Sequence, residues 1–289
     1  MNAKVWQAIV LRAGLYVLLI VLGLTLFPWA LHSVFGYFGA AALTTFLSGL
    51  IANLFTLRIY ENLTLPDAGL RWNTNSTRHL LFGLAGGAGA ALIVLVCLLI
   101  TGSAQIVRTG KFDAGSIVFV TVLLAAGVAG EELMFRGYGF QYVAARVGEW
   151  ATVLPCGILF GIAHMGNQNV TVLAVVNTAA WGILLGYAFL RSRDLWLPMG
   201  IHFGWNWMLP MLGANLSGFT MQVTGLQLQP DVKAPLSGGA YGPEGSVLTT
   251  LVVIAVAYYL HRAPIIQQPS ALMDHANGES AMPWSPPDR

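Results

Sequence analysis

The chain has 289 residues, 56% of them hydrophobic and only 9% charged, with a mean hydropathy of +0.68. A soluble domain carries about 25% charged residues, so this chain lacks the polar surface that water requires, and lipid must solvate much of it. A net charge of +2 without any Lys/Arg cluster excludes nucleic acid as a partner.

Counted in spans of about 20 apolar residues, the chain reads as an all-α, polytopic transmembrane bundle of about eight helices. The first apolar run, 13–31, follows Lys4 and Arg12. It is longer than a signal core and has no small-x-small cleavage site, so it reads as an uncleaved span. The second, 36–57, follows after about four residues, a join short enough to leave a re-entrant turn open. The third, 79–101, holds Gly83, Gly86, Gly87 and Gly89, which suggests close helix contacts. The fourth, 115–135, ends in Glu131, Glu132 and Arg136. The fifth, 151–167, carries Phe160 and His164, and the sixth, 169–190, carries Gly182 and Gly186 at a small-xxx-small packing spacing. Asp194 is a fair N-cap for the seventh, 195–213, which holds His202 and Asn206. Residues 214–245 read as an outer loop, and 246–261 as the eighth span. Residues 263–289 contain Pro, Ser and Asn without periodicity and are expected to be a disordered cytoplasmic tail. The expected division is therefore 1–78 for the N-terminal spans and their cytoplasmic loop, 79–262 for a membrane core, and 263–289 for the tail. Cys97 and Cys156 lie in apolar runs and read as packing residues.

With the N-terminus in the cytoplasm and spans alternating, Lys4, Arg12, Arg58, Arg71, Arg78, Arg146, Arg191, Arg193, Arg262 and Arg289 fall inside. Arg108, Lys111 and Lys233 fall outside. That bias is the one expected of a correct topology. It predicts an integral protein of a bacterial inner membrane with both termini cytoplasmic, the bacterial source resting on the compact loops.

An ionisable side chain at membrane depth costs roughly 2.5–3.5 kcal/mol even on insertion scales, so each needs a reason. His32, His79 and His261 sit at span edges and read as interfacial. Glu132 and Arg136 share a helix face at i,i+4 in the favoured order. Glu131 is rotated about 100° away and is free to act as a general base. A single Glu–Arg pair would serve as a structural ion-pair knot. Two adjacent glutamates leave a charge that the arginine alone does not neutralise, which favours function. Alone, His164 reads as a core histidine, and the His202/Asn206 pair could equally be interhelical glue. Together, two carboxylates, two histidines and an amide on three spans are expected to meet in a wet cavity. They supply a base for water and donors for an oxyanion, the parts that amide hydrolysis needs. Ser103 and Ser116 lie at the outer span ends, away from this set, and HExxH is absent.

The order EExxxR (Glu131, Glu132, Arg136), FxxxH (Phe160, His164) and HxxxN (His202, Asn206) resembles the CPBP (Abi) family of CAAX-processing and bacteriocin-processing intramembrane proteases. The resemblance covers roughly 115–210. It implies an endopeptidase acting on a membrane-associated CAAX-type or leader-like peptide. Glu131 would activate water, His164 would position it, and His202 with Asn206 would stabilise the oxyanion. Glu132 and Arg136 would hold the site electrostatically. The family is often labelled metalloprotease, and zinc on Glu131, His164 and His202 is the alternative to a metal-free glutamate mechanism. Beside the enzyme stand a non-enzymatic immunity or partner-binding protein and, with less support, a proton-coupled transporter. The latter predicts internal repeats, and none is visible.

Overall fold

The computed structural model describes residues 3–110, 112–221, 223–230 and 234–274. Lys111, Lys233, Arg289 and tail residues 275–289 lie outside the described residues.

The first two spans form a helical hairpin within α1 (Ala3–Thr56), which reverses at Gly36. There φ is 65° and ψ is −175°, a conformation open to glycine because it lacks a Cβ. This single-residue reversal replaces the expected four-residue join. The arms touch closely: a Cβ on Gly23 would lie 2.4 Å from Ser48 Oγ. A π-turn over Leu57–Glu61 ends the hairpin, and Arg12 pairs with Glu61 at its base.

The α-helices and strands that follow are α2 (Thr74–Ile100), β1 (Ala104–Arg108), α3 (Ala114–Arg136), α4 (Tyr138–Val147), α5 (Glu149–Ala163), α6 (Val172–Ser192), α7 (Trp196–Met211), β2 (Leu226–Pro230), α8 (Ala234–Ser237), α9 (Val247–Arg262) and α10 (Ala271–Asp274), with short 3-10 turns at Leu65–Ala68, Gly239–Tyr241 and Pro243–Gly245. The architecture is all-α apart from one small sheet. Among the described residues, four stretches are long and apolar enough to cross a bilayer: Ala3–Glu61, Thr74–Ile100, Ala114–Val147 and Val172–Ser192. The first is a hairpin. Glu149–Ala163 and Val247–Arg262 are shorter apolar helices. Large apolar side chains stand outward on the long stretches, such as Trp29 of α1 at 88% and Ile100 of α2 at 80% exposure. Such a surface suits lipid, and the chain is an integral membrane protein.

Close helix approach positions the core. On α2, a Cβ at Gly87 would lie 1.9 Å from Ile201 O of α7, whereas Gly86 and Gly89 face open space. Only half of the glycine cluster therefore makes the contact. A Cβ on Gly130 of α3 would lie 2.5 Å from Phe46 N, which seats the second arm of α1 one residue from Glu131.

Several stretches differ from the sequence expectation. The expected fifth and sixth spans stop at Ala163 and resume at Val172, and α4 forms a separate helix between α3 and α5. Within the expected outer loop, β2 pairs antiparallel with β1, Ala104 opposite Pro230 and Arg108 opposite Leu226. Residues 263–274, expected to be disordered, instead pack on the bundle. Gln268 N donates to Ser192 O at 2.8 Å, and Leu272 and Met273 are buried. His79 is buried rather than interfacial, with Nδ1 2.6 Å from Asp194 Oδ2. Asp194 Oδ1 also accepts from Leu197 N at 3.3 Å, but the N-cap of α7 is Leu195, one residue beyond the expected position.

Candidate active site

The three motifs lie on α3, at the C-terminal end of α5, and on α7. Helix periodicity separates the two glutamates. Glu132 points into the bundle and is fully buried, while Glu131 points into a cavity of about 500 Å³. Phe160, His164, His202 and Asn206 line the same cavity. Glu132 and Arg136 lie behind its wall.

Behind that wall, Arg136 Nη1 donates to Glu132 Oε1 at 3.1 Å, and Nη2 donates to Gly182 O at 2.7 Å. Gly182 thus belongs to the support of the site. Its missing side chain lets α5 close in, since a Cβ there would lie 2.8 Å from Phe160 Cβ. The small-xxx-small spacing marked it only as packing. Phe160 is the hub: its ring is edge-on to His202 at 5.8 Å and 4.7 Å from His164, and the Arg136 guanidinium stands 5.0 Å over it.

The two histidines are held in different ways. His164 Nδ1 lies 2.8 Å from Phe160 O. A carbonyl only accepts, so Nδ1 carries the proton and the neutral ring keeps its Nε2 lone pair. His202 Nδ1 lies 2.8 Å from Glu132 Oε1, and its Nε2 lies 3.6 Å from Glu131 Oε2. Two consecutive carboxylates therefore flank the two nitrogens of one imidazole. Glu131 Oε2 makes no hydrogen bond within the protein.

Sequence reasoning missed Glu244, which lies just before α9, outside every span searched for charges. Its side chain is 7% exposed and lines the cavity with Trp205 and Ser217. Trp205 Nε1 donates to Oε1 at 3.2 Å, and Ser217 N donates to Oε2. Burial pushes this carboxyl up, and the hydrogen bonds from Ser217 and Trp205 and the nearby His164 oppose the shift. Ser116, read as remote from the site, lines the outer part of the cavity, and its Oγ donates to Asp113 Oδ2 at 2.5 Å.

A zinc site would need Glu131, His164 and His202 to converge on one point. Among the described residues, no three His, Cys, Asp or Glu side chains form a metal-holding group. His164 Nδ1 is engaged by its own helix, so only its Nε2 could reach a metal, and His202 Nε2 lies 3.6 Å from Glu131 Oε2. As placed, Glu131, His164 and His202 line one cavity without gathering into such a group.

The fold and the site define an intramembrane helical bundle with a carboxylate–histidine centre in a buried cavity. Residues 113–208, about a third of the chain, match the Rce1-like family, described as type II CAAX prenyl endopeptidase Rce1-like. This is the family that the three motifs resemble, and the match supports CAAX-type intramembrane protease activity in broad terms. No curated protein and no solved structure matches the chain.

Proposed function

We propose that this protein is an intramembrane endopeptidase that hydrolyses a peptide bond with a water activated by Glu131, without a metal. One observation carries the reading: Glu131 Oε2 has no hydrogen bond within the protein and shares one cavity with His164, His202 and Asn206. The Glu131 carboxylate takes a proton from water as the water oxygen bonds to the scissile carbonyl carbon. The Nε2 lone pair of His164 accepts the other water proton in a hydrogen bond and so orients the attack. The carbonyl oxygen becomes an oxyanion, which accepts from the Asn206 amide and from Nε2–H of a His202 imidazolium. Glu132 accepts from His202 Nδ1–H, and Arg136 holds Glu132. Protonated Glu131 then gives its proton to the leaving nitrogen, the C–N bond breaks, and a carboxylic acid and an amine are released.

The partner is a peptide or protein substrate at the bilayer. The first experiment incubates protein purified in detergent with a quenched CAAX-type and leader-type peptide library, beside Glu131→Gln, with and without chelator. Cleavage that survives chelation and is lost in Glu131→Gln is expected. Loss on chelation with recovery on zinc would replace this mechanism by a metal one. Cleavage intact in Glu131→Gln would end the role of Glu131.

A further inference from the structure

The cavity is not centred in the bundle. It runs from Glu131 along α3 toward Ser116, past Phe119 and Val120, and it reaches Leu216, Ser217, Phe219 and Thr220 of the segment after α7. From Glu131, His202 and the α6 residues Thr178 and Trp181 in its depth, the cavity widens toward one end, where the start of α3, the reversal of α1 and the segment after α7 line it. At the mouth three aromatic rings meet. Phe219 lies 5.4 Å from Phe38, edge-on, and 6.1 Å from Tyr37. Tyr37 and Phe38 directly follow the Gly36 reversal, and Phe219 is held by a two-way backbone pairing with Leu216 at 2.9 and 2.8 Å. Glu244 ties this segment to α7 through Ser217 N and Trp205.

The basic residues occupy the opposite end. Arg12 pairs with Glu61, Arg193 with Glu149, and Arg191 donates to His261 O and Ala263 O at 2.9 Å each. Arg58, Arg71, Arg78, Arg146 and Arg262 belong to the same end, whereas Arg108 is the described basic residue at the cavity end. Basic loops stay in the cytoplasm, so the cavity end faces away from it. Behind the cavity, the buried Glu132, Arg136 and Tyr138 fill the bundle toward the basic end.

From this we infer that the site is entered from the non-cytoplasmic face, past the Tyr37/Phe38/Phe219 clasp, and that its substrate is a translocated, membrane-anchored polypeptide segment rather than a cytoplasmic C-terminal tail. The inference rests on the proteolytic reading for its substrate, but its direction of access is testable without activity. The test uses the full chain with Cys97→Ala and Cys156→Ala, expressed in bacterial spheroplasts, with single cysteines at Thr220→Cys (the mouth), Ala42→Cys (inside the cavity) and Thr74→Cys (the basic end).

A membrane-impermeant thiol reagent is expected to label Thr220→Cys about tenfold more than Thr74→Cys in intact spheroplasts, with the two equal after permeabilisation. Labelling of Ala42→Cys by a small impermeant methanethiosulfonate, faster when Phe219→Ala is added, is expected as well. The reverse pattern, equal labelling before permeabilisation, or labelling of Thr220→Cys only after it overturns the inference. Failure of Ala42→Cys to label from outside, with Thr220→Cys labelled, overturns entry past the clasp. Glu131→Gln leaves all labelling unchanged, so failure of the protease reading registers only in peptide hydrolysis.

Discussion

Glu132 Oε1 lies 2.8 Å from His202 Nδ1 and 3.1 Å from Arg136 Nη1, so one buried oxygen joins a histidine on α7 to an arginine on its own helix. Its neighbour Glu131 faces the other nitrogen of the same imidazole. The paired glutamates therefore have separate surroundings, one buried in the bundle and one on the cavity, because consecutive helix positions point about 100° apart.

That separation predicts different outcomes for the same change at adjacent positions. Glu131→Gln should cut peptide hydrolysis by about a thousandfold or more, a size comparable with loss of a principal catalytic group, while thermal unfolding in detergent hardly moves. Glu132→Gln should lose activity and also unfold earlier, because it strands a buried guanidinium. Breaking a buried pair costs about 3–5 kcal/mol. Equal melting of the two variants would contradict the division of labour.

Arg136→Lys should behave nearly as badly as Arg136→Ala in unfolding and hydrolysis. A planar guanidinium reaches both Glu132 Oε1 and Gly182 O, whereas an ammonium is a single point donor centre. Rescue of both readouts by lysine would show that charge alone suffices there.

Gly87→Leu should split α2 from α7 and lose folded yield, because even a Cβ at Gly87 would lie 1.9 Å from Ile201 O. Gly86→Leu, which faces open space, should keep folded yield and activity. Measured by size-exclusion profile and unfolding, the pair tests close packing with neighbouring glycines.

Glu244 predicts a pH dependence of stability. Its folded carboxyl is raised above the ordinary value of 4.5 by burial, so the folded state binds more protons than the unfolded state above that value. Stability should then fall as pH rises from the ordinary carboxylate range through the raised value, since ∂ΔG/∂pH follows the proton difference between unfolded and folded states. Glu244→Gln should flatten that fall when unfolding is followed across pH 4.5 and upward. An unchanged slope would mean that another group sets it.

How much of this was legible before the fold depended on distance along the chain. The all-α membrane architecture, the run of apolar spans, the Glu132–Arg136 pair and the outward turn of Glu131 follow from hydropathy and a 3.6-residue period, which act within a turn or two of one helix. The same local rules misread 263–274. Their lack of periodicity hid the burial of Leu272 and Met273 and the bond from Gln268 to Ser192, 76 residues earlier along the chain.

Only the tertiary structure decided which polar groups share a pocket. Glu132 meets His202 across 70 residues, Trp205 meets Glu244 across 39, and His79 meets Asp194 across 115. None of these pairs has a sequence period, because each is set by how closely glycine faces let α2, α5 and α6 approach their neighbours. The sequence by itself determined that the chain must lie in lipid and which helix faces carry its charges. Packing alone determined that those faces converge on one cavity, and at which end that cavity opens.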